Sequence, residues 1–397
     1  MNEQGMEETT RGVGPVLDAF SGVARIAVLR GGGLGDLMFA LPAVSALKKA
    51  YPGSTVTLLG TPLQESLLAE VRSPVDDVMV LPFAEGVRPG PEDASAVERF
   101  VLAARARKFD LAVQLHGGGR FSNPFLLRLQ ARHTVGSATP DAVPLERTLP
   151  YSYYQHEPMR ALEVAGLAGA PPAALEAQLQ PQGRFAAQLP ATLGAALPPE
   201  GSPLLVIHPG ASDPRRRWPA ASFGAVARAA ADDGCRVLVV GDRSETGLAE
   251  AVVAAAVGPS AGTGPGSVAS EGPVVPVASV AGKLGLGELA ALLARADLVL
   301  ANDSGPRHLA QALGTATVGI YWAGNALTSA PLGRGRHRLQ LSWTTNCPVC
   351  GADVTQVGWT APRCPHDDCL VAGIRPADVY QDVRSLLEGQ PVPATRA

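Results

Sequence analysis

The chain has 397 residues, 46% hydrophobic and 17% charged, and its 33 basic against 36 acidic residues give a formal net charge of −3. That length exceeds one ordinary core and favours two domains, while the slightly acidic balance supplies no broad basic field for nucleic acid. No apolar run reaches the roughly 18 residues of a membrane span, and "MNEQGMEETTRGVGPVLDAF" carries acids where a secretory signal would carry basic residues and an apolar core, so a cytoplasmic protein is expected.

After an extension over residues 1–24, expected to be disordered, "RIAVLR" and "TVTLLG" are short apolar runs flanking the helical pattern from Leu37 to Ala50, a βαβ unit. In the linking stretch "VLRGGGLGDLMF", Gly31, Gly33 and Gly35 do not fit G-x-G-x-x-G, and no acid closes the next strand, so a dinucleotide site is not expected. Asp36 stands at the helix start, where backbone N–H groups and the helix dipole favour its ionised form. At a cleft that is a general base; as plain local structure it is a helix cap. With "FDLAVQLHG" and "HTVGSA" as further strands, residues 25–182 read as one parallel-sheet domain, and the proline-rich, weakly periodic stretch 183–203 reads as a linker.

A second strand-and-helix series occupies 204–390: "LLVIHPG", "CRVLVVGD", "ADLVLANDSG" and "ATVGIYW", each strand ending in glycine or small polar residues, where open α/β sheets bind ligands. In "HPGASDPRRRWP", Arg215, Arg216 and Arg217 suit phosphate, because a guanidinium fork matches phosphate oxygens; the alternative is a solvated basic turn. In "LVLANDSGPRHLAQALG", the start of a helix offers N–H groups to an anion, and Ser304 and His308 add donors on the same turn, a geometry that fits a nucleotide diphosphate. Its alternative is a capped helix with a core histidine. Residues 258–273 form a low-complexity insertion expected to be flexible, a final helix is expected over Pro376 to Glu388, and 391–397 is expected to be a disordered tail.

Cys235 lies in a strand-like run as a small core residue. The other cysteines fall in the segment 347–369: Cys347, Cys350, Cys364 and Cys369 form C-x2-C-x13-C-x4-C, with His366 between the last pair. Two thiol pairs at this spacing suit a closed tetrahedral zinc site with a structural role. The alternative is four unligated thiols in a reducing cytosol.

Taken together, "GGLGDLMFALPAVSALKKAYP", "HPGASDPRRRWP" and "AGKLGLGELAALLARADLVLANDSGPRHLAQALGTATVGIYW", with the weaker "FDLAVQLHGGGRFSN" and "HEPMRALEVAGLAGA", resemble the family 9 glycosyltransferases, which include the ADP-heptose:lipopolysaccharide heptosyltransferases. The resemblance implies the GT-B architecture, two facing Rossmann-like α/β domains with a cleft between them. It also implies an inverting transfer of a heptose or similar sugar from an ADP-linked donor to a cell-envelope glycan such as the lipopolysaccharide core, with no cofactor needed for catalysis. Asp36 then matches the family's base, Gly33 and Gly35 its acceptor-side loop, and Ser212, Arg216, Asp303, Ser304, Gly305 and His308 its donor contacts, with Glu245 toward the ribose. Arg216 replaces the usual lysine of a Lys-x-Trp-Pro pattern, and Arg307 replaces a small or apolar residue, either to contact phosphate or to face solvent. The implied partners are the nucleotide sugar and a glycan or glycolipid acceptor, met by a cytoplasmic monomer in transient contact with the inner membrane face. A nucleotide-sugar epimerase of the same fold and a non-catalytic nucleotide-sugar-binding protein are the competing readings.

Overall fold

The computed structural model describes residues 12–258, 276–356 and 361–389; the expected flexible insertion, apart from Gly258, and the expected C-terminal tail lie outside them. The chain divides into two compact units between Gln180 and Pro181. Among the described residues no helix is long and apolar enough to cross a membrane.

The first unit is built on six parallel strands, β1 (Arg25–Leu29), β2 (Thr55–Gly60), β3 (Asp77–Val80), β4 (Leu111–Gln114), β5 (His133–Ala138) and β6 (Arg147–Pro150), in the order β3-β2-β1-β4-β5-β6. The central strands are mostly apolar because helices cover both faces of a parallel sheet; β4 is buried at every position. The second unit repeats the scheme with β7 (Leu204–His208), β8 (Arg236–Val239), β9 (Val277–Ser279), β10 (Leu298–Asn302), β11 (Ala316–Trp322) and β12 (His337–Ser342), in the order β9-β8-β7-β10-β11-β12. Both orders are that of a Rossmann sheet, whose direction of winding reverses between its first and fourth strands. The loops after β1 and β4, and those after β7 and β10, therefore border a crevice within each unit.

Two stretches depart from the sequence expectations. Residues 12–24, placed in a disordered extension, are anchored to the first unit: Phe20 is buried, stacks on His133 at a centroid separation of 4.0 Å, and lies under the Arg147 guanidinium at 3.8 Å. Within the expected linker, Gly183–Leu193 is a helix with Leu189 and Leu193 buried, followed by a single 3-10 turn over Gly194–Ala196. Its apolar residues recur at helical spacing, and the helix forms despite Pro190 within it and ends at Gly194.

Candidate active site

In the first unit the chain leaves β1 through Arg30 and three glycines into the helix Leu34–Ala50. Asp36 is the third residue of that helix and its Oδ2 accepts the Gly33 N–H at 2.8 Å, satisfying one of the free N–H groups at the helix start. Gly32 has φ +94°, and a Cβ there would stand 2.4 Å from Asp36 Oδ2, so the turn that presents the carboxylate admits only glycine. The other oxygen, Oδ1, accepts from Arg30 Nη2 at 2.7 Å. The cap and base readings thus coincide on one side chain, which remains 43% exposed.

Arg30 itself is buried. Its Nη1 donates to the Leu115 carbonyl at 2.5 Å, and its Nη2 also reaches Glu157 Oε2 at 3.1 Å. Glu157 opens the helix Glu157–Leu167 and is paired through its second oxygen with Arg160. Across the crevice, Gly31 N–H donates to His116 Nδ1 at 3.1 Å. Burial, and then the Arg30 charge, lower the His116 pKa, so the imidazole stays neutral with Nδ1 as acceptor. Gly35 lies in the first turn of the helix. Sequence reasoning singled out Asp36, Gly33 and Gly35 but missed Arg30, His116, Glu157 and Arg160, although "HEPMR" carries the last two at i, i+3.

In the second unit, the loop after β7 is pinned to β10 by Asn302, whose Oδ1 accepts the Trp218 N–H at 3.0 Å and whose Nδ2 donates to the Pro209 carbonyl at 2.7 Å. This clamp sets the three arginines on different partners. Arg215 turns back to Asp213, with Nη2 to Oδ2 at 2.7 Å, and Arg217 Nε donates to the Ala211 carbonyl at 2.9 Å. Arg216 is the one that bonds to Asp303, donating from Nη1 to Asp303 Oδ2 at 3.1 Å and from Nη2 to Ser212 Oγ at 2.9 Å.

Asp303 is the hub. Its Oδ2 also accepts from Asn325 Nδ2 at 2.8 Å, and its Oδ1 accepts from Ser329 Oγ at 3.1 Å and His308 Nε2 at 2.9 Å. Burial alone would raise its pKa, but the hydrogen bond from His308 and the Arg216 and Arg307 charges outweigh it and lower the value. Ser304 precedes the helix Gly305–Ala312 and its hydroxyl meets His208 Nδ1 at 3.0 Å. His208 Nε2 faces Glu245 Oε2 at 3.2 Å, and this contact lowers the Glu245 pKa. Six of the expected donor residues, Ser212, Arg216, Asp303, Ser304, Gly305 and His308, are therefore collected at one strand-end crevice, with Glu245 joined to them through His208.

Arg307 corrects its expectation: it neither faces solvent nor reaches an open phosphate position. It is fully buried, donating to His308 Nδ1 at 2.7 Å and Gln311 Oε1 at 2.9 Å, with its guanidinium 5.3 Å from the Tyr321 ring centre. By occupying Nδ1 it fixes the His308 tautomer, leaving the Nε2 proton for Asp303.

Residues 97–350, more than half of the chain, match the Glyco_transf_9 family, glycosyltransferase family 9 (heptosyltransferase). The chain belongs to glycosyltransferase family 9. Among curated relatives, the lipopolysaccharide core heptosyltransferase OpsX of Haemophilus influenzae is 47% identical over 53 residues, 13% of this chain and 15% of that protein. The chain thus spans well under two thirds of that relative. Among solved structures, family 9 member from Veillonella parvula DSM 2008 is similar at TM-score 0.68 and 20% identity, covering 92% of this chain and 97% of that one. The E. coli ADP-heptose lps heptosyltransferase II is similar at TM-score 0.67 and 17% identity, covering 92% of this chain and 98% of that one. These likenesses show a shared two-domain α/β fold, that of the GT-B transferases.

This family 9 chain also carries a compact sulfur cluster after β12. The donor atoms of Cys347, Cys350, Cys364 and His366 all lie within 4.8 Å of one another, a set able to hold a metal ion. The expected fourth thiol is elsewhere: Leu370 N–H pairs with the Arg215 carbonyl at 2.8 Å, which docks this stretch on the arginine loop and directs Cys369 Sγ to the Arg217 carbonyl at 2.9 Å. His366 takes the place assigned to Cys369. The backbone N–H groups of Cys350 and Val349 pull the Cys347 thiol down to about 6, which favours the thiolate a metal requires.

Proposed function

We propose that this chain is an inverting glycosyltransferase that moves a heptose or closely similar sugar from an ADP-linked donor to a glycan of the cell envelope such as the lipopolysaccharide core. Asp36 carries the reading: a half-exposed carboxylate held in one orientation at the crevice of the first Rossmann sheet, in a family 9 chain. Asp36 takes the proton of the acceptor hydroxyl, that oxygen bonds to the anomeric carbon from the face opposite the diphosphate, and the carbon–oxygen bond to the diphosphate breaks. The leaving ADP carries away the electron pair, and Arg216, Ser212 and the N–H of Gly305 hold its charge. Asp303 and His308 orient Arg216 and the helix start, and Glu245 receives the ribose hydroxyls. Donor specificity for ADP-heptose draws support from the named activity of E. coli heptosyltransferase II, and an acceptor in the lipopolysaccharide core from that of OpsX.

The same reading makes the chain a cytoplasmic monomer that meets its acceptor at the inner membrane face. Cys347, Cys350, Cys364 and His366 hold a structural zinc that ties the segment between β12 and the final helix and takes no part in transfer.

The test is Asp36→Ala assayed with ADP-heptose and extracted core glycan, with mass spectrometry of the product and calorimetry of ADP binding. Transfer falls at least about 100-fold while ADP affinity holds. Normal turnover by the variant would remove Asp36 as base, and donor conversion without any acceptor would favour an epimerase.

A further inference from the structure

Asp36 is not alone with its arginine. Arg30 stands between two carboxylates, 2.7 Å from Asp36 Oδ1 and 3.1 Å from Glu157 Oε2, and Glu157 is in turn paired with Arg160. Exposure distinguishes the acids: the Asp36 side chain is 43% open to solvent, whereas Glu157 is 19% and Arg30 and Arg160 each 9%. Asp36 is the most open of this row of four; Glu157 is half-buried behind it, and the two arginines are buried. Arg160 is fixed at its far end by the carbonyls of Ser152 at 2.5 Å and Tyr153 at 3.0 Å and by the Tyr151 ring at 4.4 Å, so the row has little freedom to rearrange.

We propose that Glu157 is a positioning residue that sets the proton affinity of Asp36, by drawing part of the Arg30 charge away from it within the row Asp36–Arg30–Glu157–Arg160. An arginine paired with a carboxylate stabilises the ionised form and weakens it as a base. A base so weakened transfers protons poorly. Glu157 opposes this in two ways: it competes for Arg30 Nη2, and its own negative charge disfavours a second one at Asp36. Arg160 works in the opposite sense by partly neutralising Glu157. Consistent with the sharing, Glu157 precedes Asp36 among the charges that raise the Arg30 pKa against its burial. The other titratable groups facing the row are His116, after β4, which is neutral, and Tyr151, after β6, whose phenol burial keeps protonated.

The charge sharing stands or falls independently of catalysis, and its effect on rate rests on Asp36 being the base. The experiment reads the Asp36 carboxyl directly, as the 13C resonance of selectively labelled aspartate that is missing from Asp36→Asn, titrated in the full chain. In Glu157→Gln the Asp36 midpoint moves down by about half a pH unit or more, and in Arg160→Met it moves up. A purely structural role for Glu157 leaves both midpoints where they are, and that result, or movement in the same direction, overturns the proposal. Thermal melts establish that each variant is folded; should Glu157→Gln not fold, the upward movement in Arg160→Met supports the proposal and its absence overturns it. In the transfer assay the acid limb of kcat follows the same two directions. If the resonance moves and the limb does not, the sharing stands and the base assignment falls.

Discussion

Arg216 and Asp303, 87 positions apart, are joined across the crevice of the second unit by a single 3.1 Å ion pair, and the same guanidinium reaches Ser212 with its other nitrogen. One planar fork thus ties the loop after β7 to the loop after β10. A lysine has one nitrogen on a flexible stem and cannot hold both partners in this geometry. In Arg216→Lys we expect ADP to bind about 5- to 20-fold more weakly, a loss of about 1–2 kcal/mol, and in Arg216→Ala more weakly still. Calorimetry with ADP measures both, and an unchanged Kd in Arg216→Ala would take this residue out of the donor site.

Gly32 controls the acid in the other unit. With φ at +94° and Asp36 Oδ2 2.4 Å from where a Cβ would stand, Gly32→Ala must move the carboxylate or the turn. Stability falls by about 1–2 kcal/mol and transfer falls more than tenfold. Urea unfolding and initial rates give the two numbers. Loss of stability with full activity would show that the orientation of Asp36 is not what the turn protects.

His337 makes stability depend on pH. Burial, and then the Arg307, Arg336 and Arg338 charges, push it down to about 4 from an ordinary 6.5, and its Nδ1 meets the Thr317 hydroxyl at 3.0 Å. Between those two values the unfolded chain binds a proton that the folded chain refuses. This contribution therefore weakens the fold as pH falls from about 6.5 to about 4 and is absent at neutral pH. Urea titrations at pH 7 and pH 4.5 should show wild type losing roughly 2 kcal/mol more than His337→Gln. Equal losses would mean that His337 is protonated in the folded state.

The cysteine segment yields a test that separates two donor sets. Protein purified without chelator should contain about one zinc per chain. Cys364→Ser and His366→Ala should lose it and melt at lower temperature, while Cys369→Ser keeps it. Iron in place of zinc would correct the metal but not the ligands. Full metal in His366→Ala and none in Cys369→Ser would restore the four-thiol arrangement.

The legible parts of the molecule are those written in local pattern. Strands such as Leu204–His208, buried at every position and closed by a Pro-Gly turn, announce themselves, and so do Asp36 and Asp303 as acids set where a strand gives way to a helix. Glu157 is hidden because it acts on Arg30 from 127 positions away, a distance that only the sheet order closes. Spacing found four thiols but not their directions: the backbone bond from Leu370 to Arg215 turns Cys369 out of the cluster that His366 enters. Arg307 misled for a related reason, since a charged residue at a helix start reads as exposed until Tyr321, Gln311 and His308 are seen to enclose it.

The helix Gly183–Leu193 decides where this chain can be cut. Phe185 lies over Gly287 so closely that a Cβ there would sit 2.6 Å from its ring, Thr192 bonds to Glu288, and the carbonyls of Ala195 and Ala196 accept from Arg236 at 2.7 and 3.2 Å. Severing the chain just before β7, at the apparent composition break, would strip this cover from the helix Leu286–Arg295 and leave its apolar side bare. A recombinant half starting at Pro181 should be expressed as a soluble, ADP-binding piece, whereas one starting at Pro203 should aggregate. Proteases should likewise spare residues 183–196 in the intact protein, despite their loop-like composition.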